Sequence, residues 1–183
     1  AAARTGSVLE AIAADFRTAG FEFVPVEDVS VHAWAKLLSN LANGLDAILG
    51  PGADIGDLAR AMRTEAKAVY AAAGIEHLSN GPAKHGIADR LQMSSVPGVE
   101  SFGSSSWQSL ARGTGSIETD YLTGEIVAIA RTVGAEAPRC ALVTRWCRAL
   151  AADSDLGGVI PADAEERRAA LERAFAEFAA ADG

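Results

Sequence analysis

Apolar residues recur every three or four positions over most of the chain, the spacing that gathers them on one face of an α-helix. The longest such run covers residues 30–50, where the apolar positions are Val31, Trp34, Leu37, Leu38, Leu41, Leu45, Ile48 and Leu49. Shorter runs of the same kind lie at residues 7–20, 54–74, 104–112, 116–134, 139–151 and 163–178. Residues 75–103 are interrupted by glycine and proline, which favours a loop with at most one short helix around Ala88. The pattern predicts a bundle of about six helices.

One segment departs from this helical spacing. Residues 21–26, with the sequence FEFVPV, alternate in polarity and are rich in residues that favour β-strands. A single strand cannot satisfy its own backbone hydrogen-bonding groups. We therefore expect residues 1–28 to be the tail of a sheet-containing domain whose other strands lie elsewhere, and residues 29–183 to form the helical domain.

Composition narrows the classes of function. The chain has 183 residues, 24 acidic and 16 basic, for a formal charge of −8, which argues against binding to a nucleic-acid backbone. No apolar run reaches the roughly 20 residues of a membrane span, and no secretory signal is evident. The histidines share no ligand spacing, so no metal site is expected. Cys140 and Cys147 lie too far apart on a helix for a disulfide, which predicts two buried free thiols in a reducing cytoplasm.

The helix predicted at residues 30–50 carries an unusual polar face. Lys36, Asn40 and Asn43 fall within about 60° of one another on a helical wheel. Asparagine is a poor helix former, and solvated helix faces usually carry Glu, Lys, Arg or Gln instead. A lysine beside two amides can bind an oxygen-rich ligand, and a positioned lysine can donate a proton. The alternative is an ordinary polar surface.

A second candidate lies at residues 104–121. Ser104, Ser105 and Ser106 precede Trp107, and a Glu118-Thr119-Asp120-Tyr121 block follows ten residues later. The serines could simply cap a helix, and the acids could complement a helix dipole. Taken alone, each feature favours the structural explanation.

Together the two candidates match a known pattern. Lys36-Leu37-Leu38-Ser39-Asn40 after Trp34, then the serine block around Ser106, then residues 118–124 with the sequence ETDYLTG, resemble the C-terminal domain of the ketopantoate reductases (2-dehydropantoate 2-reductases). The order and the spacing from Ser106 to Glu118 agree, and the resemblance covers roughly residues 29–150. Many members carry an Asn-Pro pair two turns after the lysine. Here Asn43-Gly44 stands at that place, with the asparagine one residue early.

The resemblance implies an all-α fold of the 6-phosphogluconate dehydrogenase C-terminal-like type, joined to an N-terminal Rossmann domain that binds NADPH. It implies a homodimer acting on a small 2-oxoacid, ketopantoate in pantothenate biosynthesis. By similarity, Lys36 is the general acid and Glu118 hydrogen-bonds a substrate hydroxyl. Asn40, Asn43 and Ser106 are substrate-binding residues by the same similarity.

Two alternatives remain open at this point. The first is that the chain is the substrate-binding domain of an NADPH-dependent 2-oxoacid reductase. The chain lacks the G-x-G-x-x-G fingerprint of dinucleotide binding, so NADPH should then bind mainly on the missing N-terminal domain, and this part alone should be inactive. The second alternative is a free-standing helical module for dimerisation or protein interaction, without catalysis.

Overall fold

The computed structural model describes residues 2–78, 103–153 and 157–181. The chain divides into two compact units, Ala1–Ser30 and Val31–Gly183. Residues 79–102 of the loop predicted at residues 75–103, including any short helix around Ala88, lie outside the described residues.

The first unit consists of one helix and an extended tail. Helix α1 spans Ala2–Thr18, and Gly20 adopts a positive φ of 84° just after it. The Phe16 ring packs against Phe21 and Phe23, with ring centroids 5.8 Å and 5.3 Å apart. The predicted strand at residues 21–26 does not form, because a strand needs a neighbour to hydrogen-bond with and the described residues contain no other strand.

The second unit is built from seven α-helices and one short 3₁₀ helix in its described residues. These are α2 (Ser30–Asn40), α3 (Ala42–Leu49), α4 (Gly56–Ala73), α5 (Ser105–Ala111), the 3₁₀ helix (Glu118–Tyr121), α6 (Thr123–Val133), α7 (Pro138–Ala151) and α8 (Ala164–Ala181). The predicted all-α fold class is therefore confirmed.

Two helices that the pattern predicted as continuous are each divided in two. The run at residues 30–50 is interrupted at Leu41, which keeps helical angles of −58° and −30°. Asn40 and Asn43, both weak helix formers, flank this break. The run at residues 116–134 is divided at Leu122, whose ψ of −95° leaves the helical region. Thr119 and Thr123, on either side, are also weak helix formers.

The core of the second unit surrounds α7, which packs against α3, α4, α6, α8 and the 3₁₀ helix. Its largest fully buried side chains are Tyr70, Leu41, Leu45, Ile48, Met62, Ile126 and Leu171. Cys140 and Cys147 face inward from α7, and both are free thiols with no exposed surface, as predicted. Helix α8 contributes Leu171 and Phe175 to the core, so much of its narrow apolar stripe is used within the chain.

Carboxylates cap two of these helices. Asp163 accepts backbone hydrogen bonds from Glu165 at 2.8 Å and Glu166 at 3.2 Å, so it caps α8. Helix α7 begins at Pro138, a residue suited to a first helical turn. Glu65 of α4 reaches across to accept the next two backbone N–H groups, those of Arg139 at 2.9 Å and Cys140 at 2.8 Å. In the described parts of the chain, no helix is long and apolar enough to cross a membrane.

Candidate functional site

Lys36 and Asn40 lie one turn apart on α2. Trp34 holds the inner side of this helix, because its ring packs edge-on against Tyr70 of α4 at 5.5 Å and its carbonyl accepts a hydrogen bond from the Tyr70 hydroxyl at 3.3 Å. Burial raises the pKa of that hydroxyl well above its usual range. Lys36 is exposed, and Asn40, the last residue of the helix, is half-buried. The ammonium of Lys36 is therefore available to a ligand at the surface.

Asn43 lies where α3 meets the start of α5. Its backbone carbonyl accepts a hydrogen bond from the Ser104 hydroxyl at 3.3 Å. One turn later, the Asp46 carboxylate accepts the Ser104 backbone N–H at 2.6 Å. Two hydrogen bonds thus join the first turn of α5 to α3. The backbone of Asn43 thus lies next to Ser104, the first residue of the serine block.

Ser104 and Ser106 have different roles in this turn. Ser104 is the N-cap of α5, since its hydroxyl accepts the backbone N–H of Trp107 at 3.2 Å. The capping explanation therefore holds for Ser104. Ser106 is 2% exposed, and its hydroxyl has no hydrogen-bond partner among the described residues. A buried hydroxyl without a partner costs stability, so the hydrogen-bonding capacity of Ser106 is unused among the described residues.

Glu118 opens the 3₁₀ helix and is exposed. Two of its neighbours hold this short helix to the bundle. Thr119 is buried beneath it at 2% exposure. Asp120 accepts a hydrogen bond from Nε of Arg148, on α7, at 2.6 Å. Asp120 therefore pairs with a particular arginine rather than serving only as a complement to a helix dipole.

Cys147 connects the helix of Asn43 with the helix of Glu118. Its Sγ lies 3.5 Å from the carbonyl oxygen of Gly44, the residue after Asn43. The Thr119 hydroxyl, next to Glu118, interacts with the same sulfur. Burial raises the pKa of this thiol to about 12, partly opposed by the Thr119 hydroxyl. Cys147 thus stays a neutral thiol near neutral pH and packs between the two helices.

Five predicted site residues therefore occupy four elements: α2, α3, α5 and the 3₁₀ helix. The contacts join α3 to α5 through Ser104, and α3 to the 3₁₀ helix through Cys147. Among the described residues, Lys36 makes no side-chain hydrogen bond to Asn43, Ser106 or Glu118. We expect Lys36 to share one groove with these three residues, as a common substrate would require.

Sequence reasoning missed the residues that hold these elements together. Asp46 was not singled out, and Cys147 was predicted only to be a buried free thiol, because each is a single polar or sulfur-bearing residue within an apolar helical run. Thr119 and Thr123 are spaced four apart, and Thr144 lies on another helix. Only the four-residue spacing of Thr119 and Thr123 could have indicated, from the sequence, that their side chains lie close together.

Two open grooves lie apart from the predicted site residues. One, of about 680 Å³, runs between α4 and the start of α7 and is lined in part by Asp57, Arg60, Glu65, Glu136 and Arg139. The other, of about 740 Å³, runs between α6 and α7 and is lined in part by Asp120, Arg131, Arg145 and Arg148. The described residues contain no group of three His, Cys, Asp or Glu side chains that could hold a metal ion.

Most of the helical unit matches a known family of domains. The family model described as "Ketopantoate reductase PanE/ApbA C terminal" matches residues 28–151. This chain belongs to the ketopantoate reductase family. The match contains all five predicted site residues, and the resemblance seen in the sequence is confirmed. No curated protein sequence matches the chain significantly.

Solved structures of ketopantoate reductases resemble the chain. A PanE/ApbA family ketopantoate reductase from Ralstonia eutropha JMP134 is 28% identical, with a TM-score of 0.61 over 79% of this chain and 48% of that one. A 2-dehydropantoate 2-reductase from Methylococcus capsulatus is 24% identical, with a TM-score of 0.58 over 75% of this chain and 44% of that one, which supports the fold alone. The chain spans slightly less than half the length of these two proteins.

Proposed function

We propose that this chain is the substrate-binding domain of an NADPH-dependent 2-oxoacid reductase that converts ketopantoate to pantoate in pantothenate biosynthesis. The observation that carries the proposal is the family match over residues 28–151, which contains Lys36, Asn40, Asn43, Ser106 and Glu118. Relatives of known structure are ketopantoate reductases, and these are oxidoreductases. The substrate, the cofactor and the residue roles are the proposed parts.

The proposal includes a domain arrangement in which residues 1–28 are the tail of an NADPH-binding Rossmann domain. The exposed apolar surface of the first unit supports it. Val8, Ile12 and Phe16, spaced four apart on α1, are 58%, 41% and 44% exposed, and Phe21 and Val24 are 62% and 47% exposed. An apolar surface of this extent is normally covered by a partner. The remaining strands and helices of a nucleotide-binding domain would cover it.

In the proposed reaction, Lys36 is the general acid. Bound NADPH supplies a hydride to the carbonyl carbon of the oxoacid. The carbonyl oxygen then becomes negatively charged, and the Lys36 ammonium stabilises that charge and gives it a proton. The exposure of Lys36 and its position on the same face as Asn40 support this role. Asn40 would orient both the lysine and the substrate oxygen.

The other side chains would bind parts of the substrate that do not react. Ser106 would donate a hydrogen bond to the substrate carboxylate, which its unpartnered hydroxyl supports. Glu118 would accept a hydrogen bond from the substrate hydroxyl, at the opposite end of the molecule. Asn43 would lie beside them, since Ser104 connects its backbone to the first turn of α5. A substrate must then present a carboxylate and a hydroxyl at a fixed separation.

The protein is further proposed to be a cytoplasmic homodimer. Two free buried thiols are typical of a reducing compartment. Dimerisation rests on the family resemblance. Multi-angle light scattering of the full-length protein tests it, and a monomer at micromolar concentration would contradict it.

The proposed function is tested with the full-length protein expressed from the coding sequence that contains this chain. NADPH oxidation is followed with ketopantoate and with 2-oxoacids that lack its hydroxyl, and NADH is the cofactor control. We expect turnover with ketopantoate and NADPH, and a lower kcat/KM for acids without the hydroxyl. A coding sequence without a nucleotide-binding domain, or an enzyme with no NADPH-dependent reductase activity, would support the free-standing interaction module instead.

A further inference from the structure

A chain of three buried hydroxyl groups lies directly beneath the 3₁₀ helix. The Thr119 and Thr123 oxygens are 3.1 Å apart, and the Thr123 and Thr144 oxygens are 2.7 Å apart. The Thr144 hydroxyl donates to the carbonyl of Cys140, one turn earlier on α7, at 2.7 Å. All three threonines are at most 5% exposed. These hydrogen-bonded hydroxyl groups therefore join the 3₁₀ helix to α6 and α7, and they are shielded from water.

Each hydroxyl carries a single proton. Thr144 gives its proton to the Cys140 carbonyl, so at the 2.7 Å contact Thr123 is the donor. The Thr123 hydroxyl also lies 3.4 Å from the carbonyl of Thr119, and at the 3.1 Å contact either hydroxyl can be the donor. Connected hydrogen bonds of this kind polarise and strengthen one another.

The 3₁₀ helix depends on this anchor because it is too short to hold itself. It has four residues, its N-cap Ile117 makes no side-chain capping bond, and Thr119 is its one buried residue. Successive side chains of a 3₁₀ helix point about 120° apart. When Thr119 points into the core, Glu118 is therefore turned outward in a fixed direction. A rotation of Thr119 about the helix axis would turn the Glu118 carboxylate with it.

The same anchor reaches the helix of Asn43. Thr119 interacts with the sulfur of Cys147, whose Sγ is 3.5 Å from the Gly44 carbonyl on α3. Displacing Thr119 would thus alter the position of Glu118 relative to Asn43, two residues that we propose bind one substrate. Asp120 adds a second attachment through Arg148, but this pair is 49% and 62% exposed and holds the helix less firmly.

We propose that Thr119, Thr123 and Thr144 are positioning residues that set the place of the Glu118 carboxylate and thereby the affinity for the substrate hydroxyl. This rests on the proposed function, since it assumes that Glu118 contacts the substrate. Thr119 is the decisive member, because it is next to Glu118 and begins the hydroxyl chain. None of the three touches the reacting atoms, so their effect appears in substrate binding and not in the chemical step.

The test compares two substitutions of Thr119 in the full-length enzyme. Thr119→Val keeps the shape and removes the hydroxyl, whereas Thr119→Ser keeps the hydroxyl and removes the methyl group. We expect Thr119→Val to raise KM for the oxoacid roughly tenfold with kcat little changed, since small displacements at a site have effects of this order or larger. Thr119→Ser should restore KM to within about twofold of the wild type.

Val69→Ala is the control for general destabilisation. Val69 lies in the core on α4 at 1% exposure, and none of the hydroxyl-chain hydrogen bonds involves it. The Val69→Ala substitution should lower the melting temperature of the enzyme. It should leave KM for the oxoacid unchanged at a temperature where all variants are folded. A Val69→Ala enzyme with the same rise in KM as Thr119→Val would show that the threonine acts only through stability, and this overturns the proposal.

A double-mutant cycle with Glu118→Ala separates this proposal from the proposed function. If Thr119 acts through Glu118, Thr119→Val should raise KM in the wild type but not in the Glu118→Ala background. Equal effects in both backgrounds would overturn the positioning role and leave the proposed function standing. If Glu118→Ala itself leaves the kinetics unchanged, the site assignment fails and the positioning role fails with it.

Discussion

Gly44 on α3 lies so close to α7 that a β-carbon built on it would be 2.6 Å from Cγ1 of Val143 and 3.4 Å from Sγ of Cys147. Val143 is fully buried and β-branched, so its side chain has little freedom to move aside. The two helices cross at this point without any side chain on α3 between them. Their close approach is what allows the Cys147 thiol to reach the Gly44 carbonyl.

Replacing Gly44 by alanine should destabilise the bundle. Overpacking a core by one methyl group costs about 1–3 kcal/mol in unfolding free energy, more than alanine regains from its helix propensity. The change in unfolding free energy can be measured by guanidinium denaturation monitored by tryptophan fluorescence. Trp34, Trp107 and Trp146 all lie in the second unit, so the signal reports on this unit. Gly56→Ala is the matched control, because its β-carbon would meet only an Asp54 carboxylate oxygen at 3.4 Å. Recovery in Gly44→Ala/Val143→Ala would confirm the cause.

Removing the Glu65 side chain should lower the unfolding free energy more than Gly44→Ala does. Its carboxylate accepts two backbone N–H groups of α7 and pairs with Arg139 at 3.2 Å, with the side chains 4% and 11% exposed. Glu65→Ala removes the carboxylate that pairs with a buried guanidinium and accepts two backbone N–H groups, which costs about 3–5 kcal/mol in unfolding free energy. Glu172→Ala breaks an exposed pair with Arg168 and should cost at most about 1 kcal/mol. Equal losses in the two variants would contradict this account.

The buried thiols predict a loss of stability at alkaline pH. Burial raises the pKa of Cys147 to about 12, whereas an unfolded thiol ionises near pH 8.5. Between these values only the unfolded state loses the proton, so the thiol's contribution is complete below about pH 8.5 and is lost as the pH rises towards 12. Burial also raises the pKa of Cys140, so its ionisation opposes folding in the same pH range.

Denaturation midpoints measured across this pH range test the effect, with Cys147→Ala as the comparison. The difference in stability between wild type and Cys147→Ala should shrink as the pH rises, because the variant has no thiol to ionise at that position. Both cysteines should react with thiol reagents only after unfolding. Rapid labelling of Cys147 in the native protein near pH 8 would rule out the buried neutral thiol.

The two proposed substrate-contacting residues should differ in their kinetics. In the full-length enzyme, Lys36→Ala should lower kcat/KM for the oxoacid by about 10²–10⁴-fold, the usual value of general acid catalysis, with little change in NADPH affinity. Glu118→Ala should act mainly on KM, since Glu118 contacts a group that does not react. Lys67→Ala, an exposed lysine on α4, should leave the kinetics unchanged. An unaltered kcat/KM in Lys36→Ala would mean that Lys36 is not the acid.

The helical part of the fold could be predicted from the sequence because each helix buries a regular apolar stripe. Two helix starts also follow from local residue types, since Asp163 caps α8 and Pro138 begins α7. The breaks at Leu41 and Leu122 could not be predicted, since apolar spacing continues through both. At Leu122 the cause is partly tertiary, because Thr119 and Thr123 form hydrogen bonds that involve α7.

The candidate site was predicted less completely. Pattern and resemblance gave the residues proposed to touch the substrate, but not those that hold them. Asp46 bonds to Ser104 and Thr123 bonds to Thr144, contacts between residues 58 and 21 positions apart. No local spacing signals such pairs. The strand expected at residues 21–26 failed for a related reason, since strand propensity gives no strand without a neighbour to pair with.

Glu65 also affects how strongly the groove between α4 and α7 attracts anions. The start of a helix and an arginine beside it would ordinarily form an anion site, and both occur in the groove between α4 and α7. Glu65 already occupies these donors, and Arg60, the other cation of that groove, pairs with Asp57 at 2.8 Å. The domain thus supplies its own anion there. Both arginines that line this groove are thus paired with carboxylates of the domain itself.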